Sequence, residues 1–140
     1  GRRKCLRRRR GQIAQVNLLH YPTDNVLLGS ERLSYAHIGK KKADMARLRQ
    51  LAQLPNVTCK VSGLGMFNPD WTADELRPLI LDVIDIFSPA RVMFGSNFPV
   101  DKLYNSYDAL WQAYEQATDA FTSTEKQRMF YQNAADFYRI

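Results

Sequence analysis

Nothing in these 140 residues approaches the unbroken apolar run of about 20 residues that a helix needs to cross a bilayer. Cysteine is scarce as well. Cys5 and Cys59 stand far apart, which supports neither a disulfide framework nor the paired spacing of a zinc site and makes a reducing compartment the default. Histidine is limited to His20 and His37. The Arg-rich start lacks the apolar core of a secretory leader and the Ser content of a transit peptide, so the expected location is the cytoplasm. No initiator Met opens the sequence, and the expectation is an internal piece of a longer protein or the product of a disturbed reading frame. What remains is ordinary for a folded domain, with 45% hydrophobic and 24% charged residues.

Charge is distributed unevenly. Residues 1–50 carry 13 Lys or Arg against 3 acidic groups, whereas residues 51–140 carry 7 against 11. The excess starts in GRRKCLRRRRG, Gly1 to Gly11, which has the composition of a nuclear-import signal or a phosphate-binding arm. No aromatic stacking platform accompanies it, and the plainer reading is a solvated terminus. Residues 1–30 are therefore expected to form a disordered basic arm, and residues 31–140 the folded portion.

Helix and strand signals alternate along that portion, the pattern that builds parallel sheets. The spacing predicts a helix over 44–53, with Met45, Leu48, Leu51 and Ala52 on one face and Pro55 ending it. In the strand expected at 56–62, Val57, Cys59 and Val61 alternate with Thr58, Lys60 and Ser62, giving one apolar and one polar side. Thr72 and Glu75 form a capping box ahead of a stripe of Leu76, Leu79, Ile80, Val83, Ile84 and Phe87, in which Pro78 falls early enough to cost little. Ser106 is an N-cap for Tyr107, Leu110, Trp111, Tyr114 and Ala117, and Thr122 with Glu125 repeats the capping box. Met129, Phe130, Ala134, Phe137 and Tyr138 supply a final stripe. These aromatic stripes read as core rather than as a cofactor platform.

The segment VMFGSNFPVDK, Val92 to Lys102, is the most informative. A short apolar strand stops at Gly95 and Ser96, and Pro99 stiffens the turn that follows. Ser96, Asn97 and Asp101 are thereby expected just past the carboxyl end of a strand, where α/β proteins gather their chemistry.

Four stretches, NVTCKVSGLG (Asn56 to Gly65), RVMFGSNFPVDK (Arg91 to Lys102), SYDALWQA (Ser106 to Ala113) and NAADFYRI (Asn133 to Ile140), together resemble the C-terminal part of the amidohydrolase-related family. That family comprises predicted metal-dependent hydrolases, including fuconolactonase and pyrone-dicarboxylate lactonase types. The resemblance implies an α/β fold, a partial (β/α)8 TIM barrel, since a complete barrel takes about 250 residues. It implies a small-molecule substrate, a lactone or related ester or amide opened by activated water, and a divalent metal, zinc or manganese, in the intact family member. The His-x-His pair of the family's first strand does not occur here, and Asn97 stands where most relatives carry an aspartate. An amide is no carboxylate base, although it can orient water or substrate.

On this reading Asn97 and Asp101 are the catalytic candidates, with Asp101 the substitute base. Lys60, Ser62 and Ser96 are the substrate-binding candidates, and a Lys60 that merely snorkels at a strand edge is the plain alternative. AHIGK, Ala36 to Lys40, resembles the family's Asp-His-x-Gly-Lys-Pro, which marks His37 as a metal ligand candidate. The expected function is that of a C-terminal fragment of an amidohydrolase-like hydrolase, inactive alone and associating through unpaired barrel edges. The alternative is a nonenzymatic module whose Arg-rich arm holds nucleic acid or another acidic partner. Residue patterns name neither the substrate nor the oligomeric state.

Overall fold

The alternation of strand and helix becomes one four-stranded sheet in the computed structural model, which describes residues 19–20, 26–29, 38–66 and 69–140. Strands β1 (Leu19–His20), β2 (Val26–Gly29), β3 (Val57–Val61) and β4 (Val92–Phe94) lie in that order. β1 runs antiparallel to β2, whereas β2, β3 and β4 are mutually parallel, with Leu28 opposite Cys59 and Lys60 opposite Met93. Parallel neighbours require a crossover, and helices supply each one. α1 (Ile38–Ala52) joins β2 to β3, and α2 (Ala73–Phe87) joins β3 to β4. α3 (Tyr107–Ala117), α4 (Ser123–Gln127), a π turn (Arg128–Gln132) and α5 (Asn133–Tyr138) follow β4. The protein is thus α/β, as expected. The sheet begins upstream of the boundary expected at residue 31, because β1 and β2 are built from residues 19–20 and 26–29. The Arg-rich segment lies outside the described residues.

Strand β3 realises its period-two pattern. Val57, Cys59 and Val61 are buried, and Thr58 and Lys60 are half-buried on the other face. Burial of Val57, Cys59 and Val61 comes from α2, whose buried side carries Leu76, Leu79, Ile80, Val83, Ile84 and Phe87, and from Val92 and Phe94 of β4. Burying such side chains contributes about 1.5–3 kcal/mol each before the entropy of ordering them is counted. The start of α2 is fixed by the capping box, in which the Glu75 amide donates to Thr72 Oγ1 at 3.3 Å and the Thr72 amide donates to Glu75 Oε2 at 2.9 Å. Thr122 and Glu125 repeat this geometry at α4, and Ser106 Oγ accepts from the Ala109 amide to start α3.

The amino ends of β3 and β4 are tied down by two polar side chains. Arg91 sits in a 3-10 turn, Pro89–Arg91, rather than in the strand. Its guanidinium donates to the carbonyls of Ala52 (2.8 Å), Leu54 (2.9 Å) and Val57 (3.3 Å), tying together the last residue of α1, the turn after it and the first residue of β3. Asn133 Nδ2 donates to the carbonyls of Pro89 and Val92, both at 2.7 Å. The last stripe is rotated from its expected setting: Met129, Asn133 and Ala135 are buried, whereas Ala134, Phe137 and Tyr138 are only half-buried. A π turn fits an extra residue into the helix, which re-aims every side chain after it.

Candidate active site

Beyond β4 the chain turns sharply. Asn97 adopts a left-handed conformation, φ 55°, that Asn tolerates better than other residues bearing a Cβ. The Phe98–Pro99 peptide is cis, and a 3-10 turn, Val100–Leu103, follows. This loop folds back so that Asn97 Nδ2 donates to Asp101 Oδ1 at 2.9 Å, while the Asp101 amide donates to the Asn97 carbonyl at 3.1 Å. The two catalytic candidates are therefore in direct contact. Asp101 is only 3% exposed, so its carboxylate sits in a pocket of protein rather than in bulk water.

Tyr114 of α3 supports this turn from below. Its hydroxyl donates to the Gly95 carbonyl at 3.0 Å and lies 3.3 Å from the Val61 carbonyl, bridging the last residue of β3 and the first residue past β4. The ring stacks on Phe94 at 4.5 Å with 16° between planes. Burial pushes the Tyr114 phenol upward, and the neighbouring Asp101 carboxylate pushes it in the same direction, so the group remains a neutral donor at any physiological pH. Tyr114 appears in the sequence as one more aromatic of a core stripe. The signal that distinguishes it is its hydroxyl, which requires a partner once buried.

The polar face of β3 meets this turn at Gly95. A Cβ built there would lie 2.5 Å from Lys60 Cε, 3.3 Å from Ser62 Oγ and 3.4 Å from Ser62 Cβ, so the missing side chain is the space through which the lysine stem passes. Ser62 is 3% exposed. Lys60 Nζ donates to Tyr138 Oη over a long 3.4 Å and lies 5.7 Å from the centre of that ring, on α5. No carboxylate pairs with Lys60 among the described residues. Lys60 is half-buried, and its stem crosses Gly95 with Ser62 beside it.

The sequence candidates thus form two contacting groups. Asn97 and Asp101 form one by hydrogen bond, and Lys60 and Ser62, which both flank Gly95, form the other. Ser96 is turned to its own loop, where its Oγ accepts from the Phe98 amide at 3.3 Å. His37 lies outside the described residues. Cys59 points to the helix side of the sheet, where burial pushes its thiol up to about 12, which removes it as a nucleophile.

A metal needs more donors than this. No three His, Cys, Asp or Glu side chains converge among the described residues, and one oxygen of Asp101 is already held by the Asn97 amide. The residues described here do not by themselves fit a zinc or manganese ion. No helix among them is long and apolar enough to cross a membrane.

Comparison with known proteins agrees with the α/β fold. An uncharacterised protein of Sinorhizobium fredii, y4mH, is 50% identical over 93 residues, which are 66% of this chain and 31% of that protein. An L-fucono-1,5-lactonase of Burkholderia multivorans is 39% identical over 103 residues, 68% of this chain and 34% of the lactonase. The chain thus spans about a third of the length of the curated relatives it matches. Among solved structures, an amidohydrolase from Burkholderia multivorans with bound zinc superposes with a TM-score of 0.74 at 28% identity, covering 81% of this chain and 43% of that one. Amidohydrolase 2 from Bifidobacterium longum subsp. infantis superposes with a TM-score of 0.58 at 26% identity, covering 83% and 40%. The sequence pattern of the Amidohydrolase family matches residues 20–140, nearly the whole of the described sheet and its helices, and the chain belongs to that family.

Proposed function

We propose that this chain contributes the carboxyl-terminal strand and helix units of a (β/α)8 barrel hydrolase that opens a lactone, or a related ester or amide, by attack of water. The observation that carries the reading is the Asn97–Asp101 contact at 2.9 Å, set at the carboxyl end of β4 beside the polar face of its parallel neighbour β3. That is the rim at which α/β barrels perform chemistry.

In this reading Asp101 is the base. It takes a proton from water as the oxygen attacks the carbonyl carbon, and Asn97 holds the carboxylate in place with one amide hydrogen while Ser96 lines the same turn. Lys60 neutralises negative charge on the substrate or on the carbonyl oxygen as the tetrahedral intermediate forms. When that intermediate collapses, the bond to the ring oxygen breaks and that oxygen takes the proton held by Asp101, leaving a hydroxyl and a carboxylic acid that releases its proton to water. A divalent metal held by other parts of an intact relative would lower the cost of forming hydroxide. None of the steps assigned to these residues passes through it. Cytoplasmic location and association through unpaired sheet edges belong to the same proposal.

The test is a chimaera in which the matched segment of the Burkholderia multivorans L-fucono-1,5-lactonase is replaced by this chain's residues. Hydrolysis of L-fucono-1,5-lactone by the chimaera is expected. A chimaera that folds with normal helical content and binds zinc, yet opens no lactone in a panel of five- and six-membered rings, would contradict the proposal.

A further inference from the structure

We propose that Tyr138, on the last helix, is a positioning residue of an anion subsite formed with Lys60 and Ser62, and that this subsite holds the carboxylate of an aldonic acid, the product of lactone opening. The inference rests on the hydrolase reading and extends it to a residue 78 positions from its partner in sequence.

Three observations converge on it. No carboxylate pairs with Lys60 among the described residues. Its stem passes over Gly95, where a Cβ would stand 2.5 Å from Lys60 Cε, so this path exists only because position 95 has no side chain. At the end of that path the ammonium meets both the hydroxyl of Tyr138, at 3.4 Å, and the face of its ring, at 5.7 Å. A flexible four-carbon stem would otherwise spread its charge over many rotamers, and two contacts at its tip restrict it. Tyr138 leaves the ammonium two further donor hydrogens. The hydroxyl of Ser62, a residue 3% exposed, stands 3.3 Å from the same point above Gly95. An anion with oxygens in one plane suits this set, and lactone opening releases one in the form of a carboxylate.

The experiment titrates the 140-residue chain with sodium gluconate, with uncharged glucitol as control, followed by NMR. The wild type is expected to prefer gluconate and to lose the preference as salt is raised. Lys60→Met should abolish the preference. Tyr138→Phe, which keeps the ring and removes the hydroxyl, should reduce it about tenfold, and Gly95→Ala should do at least as much by displacing the stem. Thermal unfolding of each variant reports on the fold independently. A wild type that binds both compounds equally would overturn the subsite. A Tyr138→Phe variant that keeps the full preference, or that loses affinity for both compounds together, would overturn the role of Tyr138 while leaving lactone turnover by the chimaera as a separate result.

Discussion

The two ends of the β3–β4 pair use polar side chains in opposite ways. At the amino end, Arg91 spends its guanidinium on three backbone carbonyls and Asn133 spends both amide hydrogens on two more. Three hydrogen bonds of the Arg91 guanidinium and both amide hydrogens of Asn133 are thereby held by the main chain. At the carboxyl end, Asn97 meets Asp101, the Lys60 stem crosses Gly95 beside Ser62, and the Tyr114 hydroxyl is held by the main chain. One end ties side chains to the main chain, and the other brings side chains to one another. On the proposed function, stability and chemistry are separated by the length of a strand, as barrel enzymes separate them.

That separation can be broken from the stability side first. Asn133→Ala leaves the Val92 and Pro89 carbonyls without their donor, and a loss of about 3 kcal/mol is expected in urea unfolding. Arg91→Met retains much of the stem over Phe87 but strips the end of α1 of its donors, for an expected loss of about 2 kcal/mol. Neither change should alter aldonate binding by the molecules that remain folded.

The buried helix side of the sheet makes a pH prediction. Cys59 titrates near 9.0 when exposed and is pushed up to about 12 in the fold. Between those values the unfolded chain has released the thiol proton and the folded chain retains it, so stability falls as pH rises, by about 1.4 kcal/mol per unit from this group. The contribution is fully present below pH 9 and declines above it. Tyr114, raised for the same reason, steepens the decline where its unfolded form ionises. Cys59→Ala should flatten the alkaline limb measured by chemical denaturation at stepped pH. An unchanged slope would mean that the thiol is not held neutral by burial.

Much of this arrangement was legible in the residues because it is local. Both capping boxes, the Ser106 cap and the alternation of Val57, Cys59 and Val61 depend on neighbours within four positions, where spacing alone dictates geometry. The turn that brings Asn97 to Asp101 is likewise a four-residue matter. What spacing does not carry is partnership across the chain. Arg91 caps a helix 39 residues upstream, and Tyr114 reaches a carbonyl 53 residues away. Nothing near either residue announces its partner. The π turn at Arg128–Gln132 breaks the helical period without any Gly or Pro to mark it, and so the last stripe was legible as a stripe but not in its orientation. Tyr138 left the expected core for the same reason and came to Lys60.

The most direct measurement compares the two ends in the lactonase chimaera. Turnover of L-fucono-1,5-lactone is followed for a carboxyl-end pair, Asn97→Ala with Asp101→Asn, and for the amino-end change Arg91→Met, each with its unfolding curve. The account predicts that the carboxyl-end pair loses at least about a hundredfold in turnover while keeping its unfolding midpoint, and that Arg91→Met lowers the midpoint while its folded fraction turns over normally. Turnover that survives removal of both Asn97 and Asp101 would contradict it.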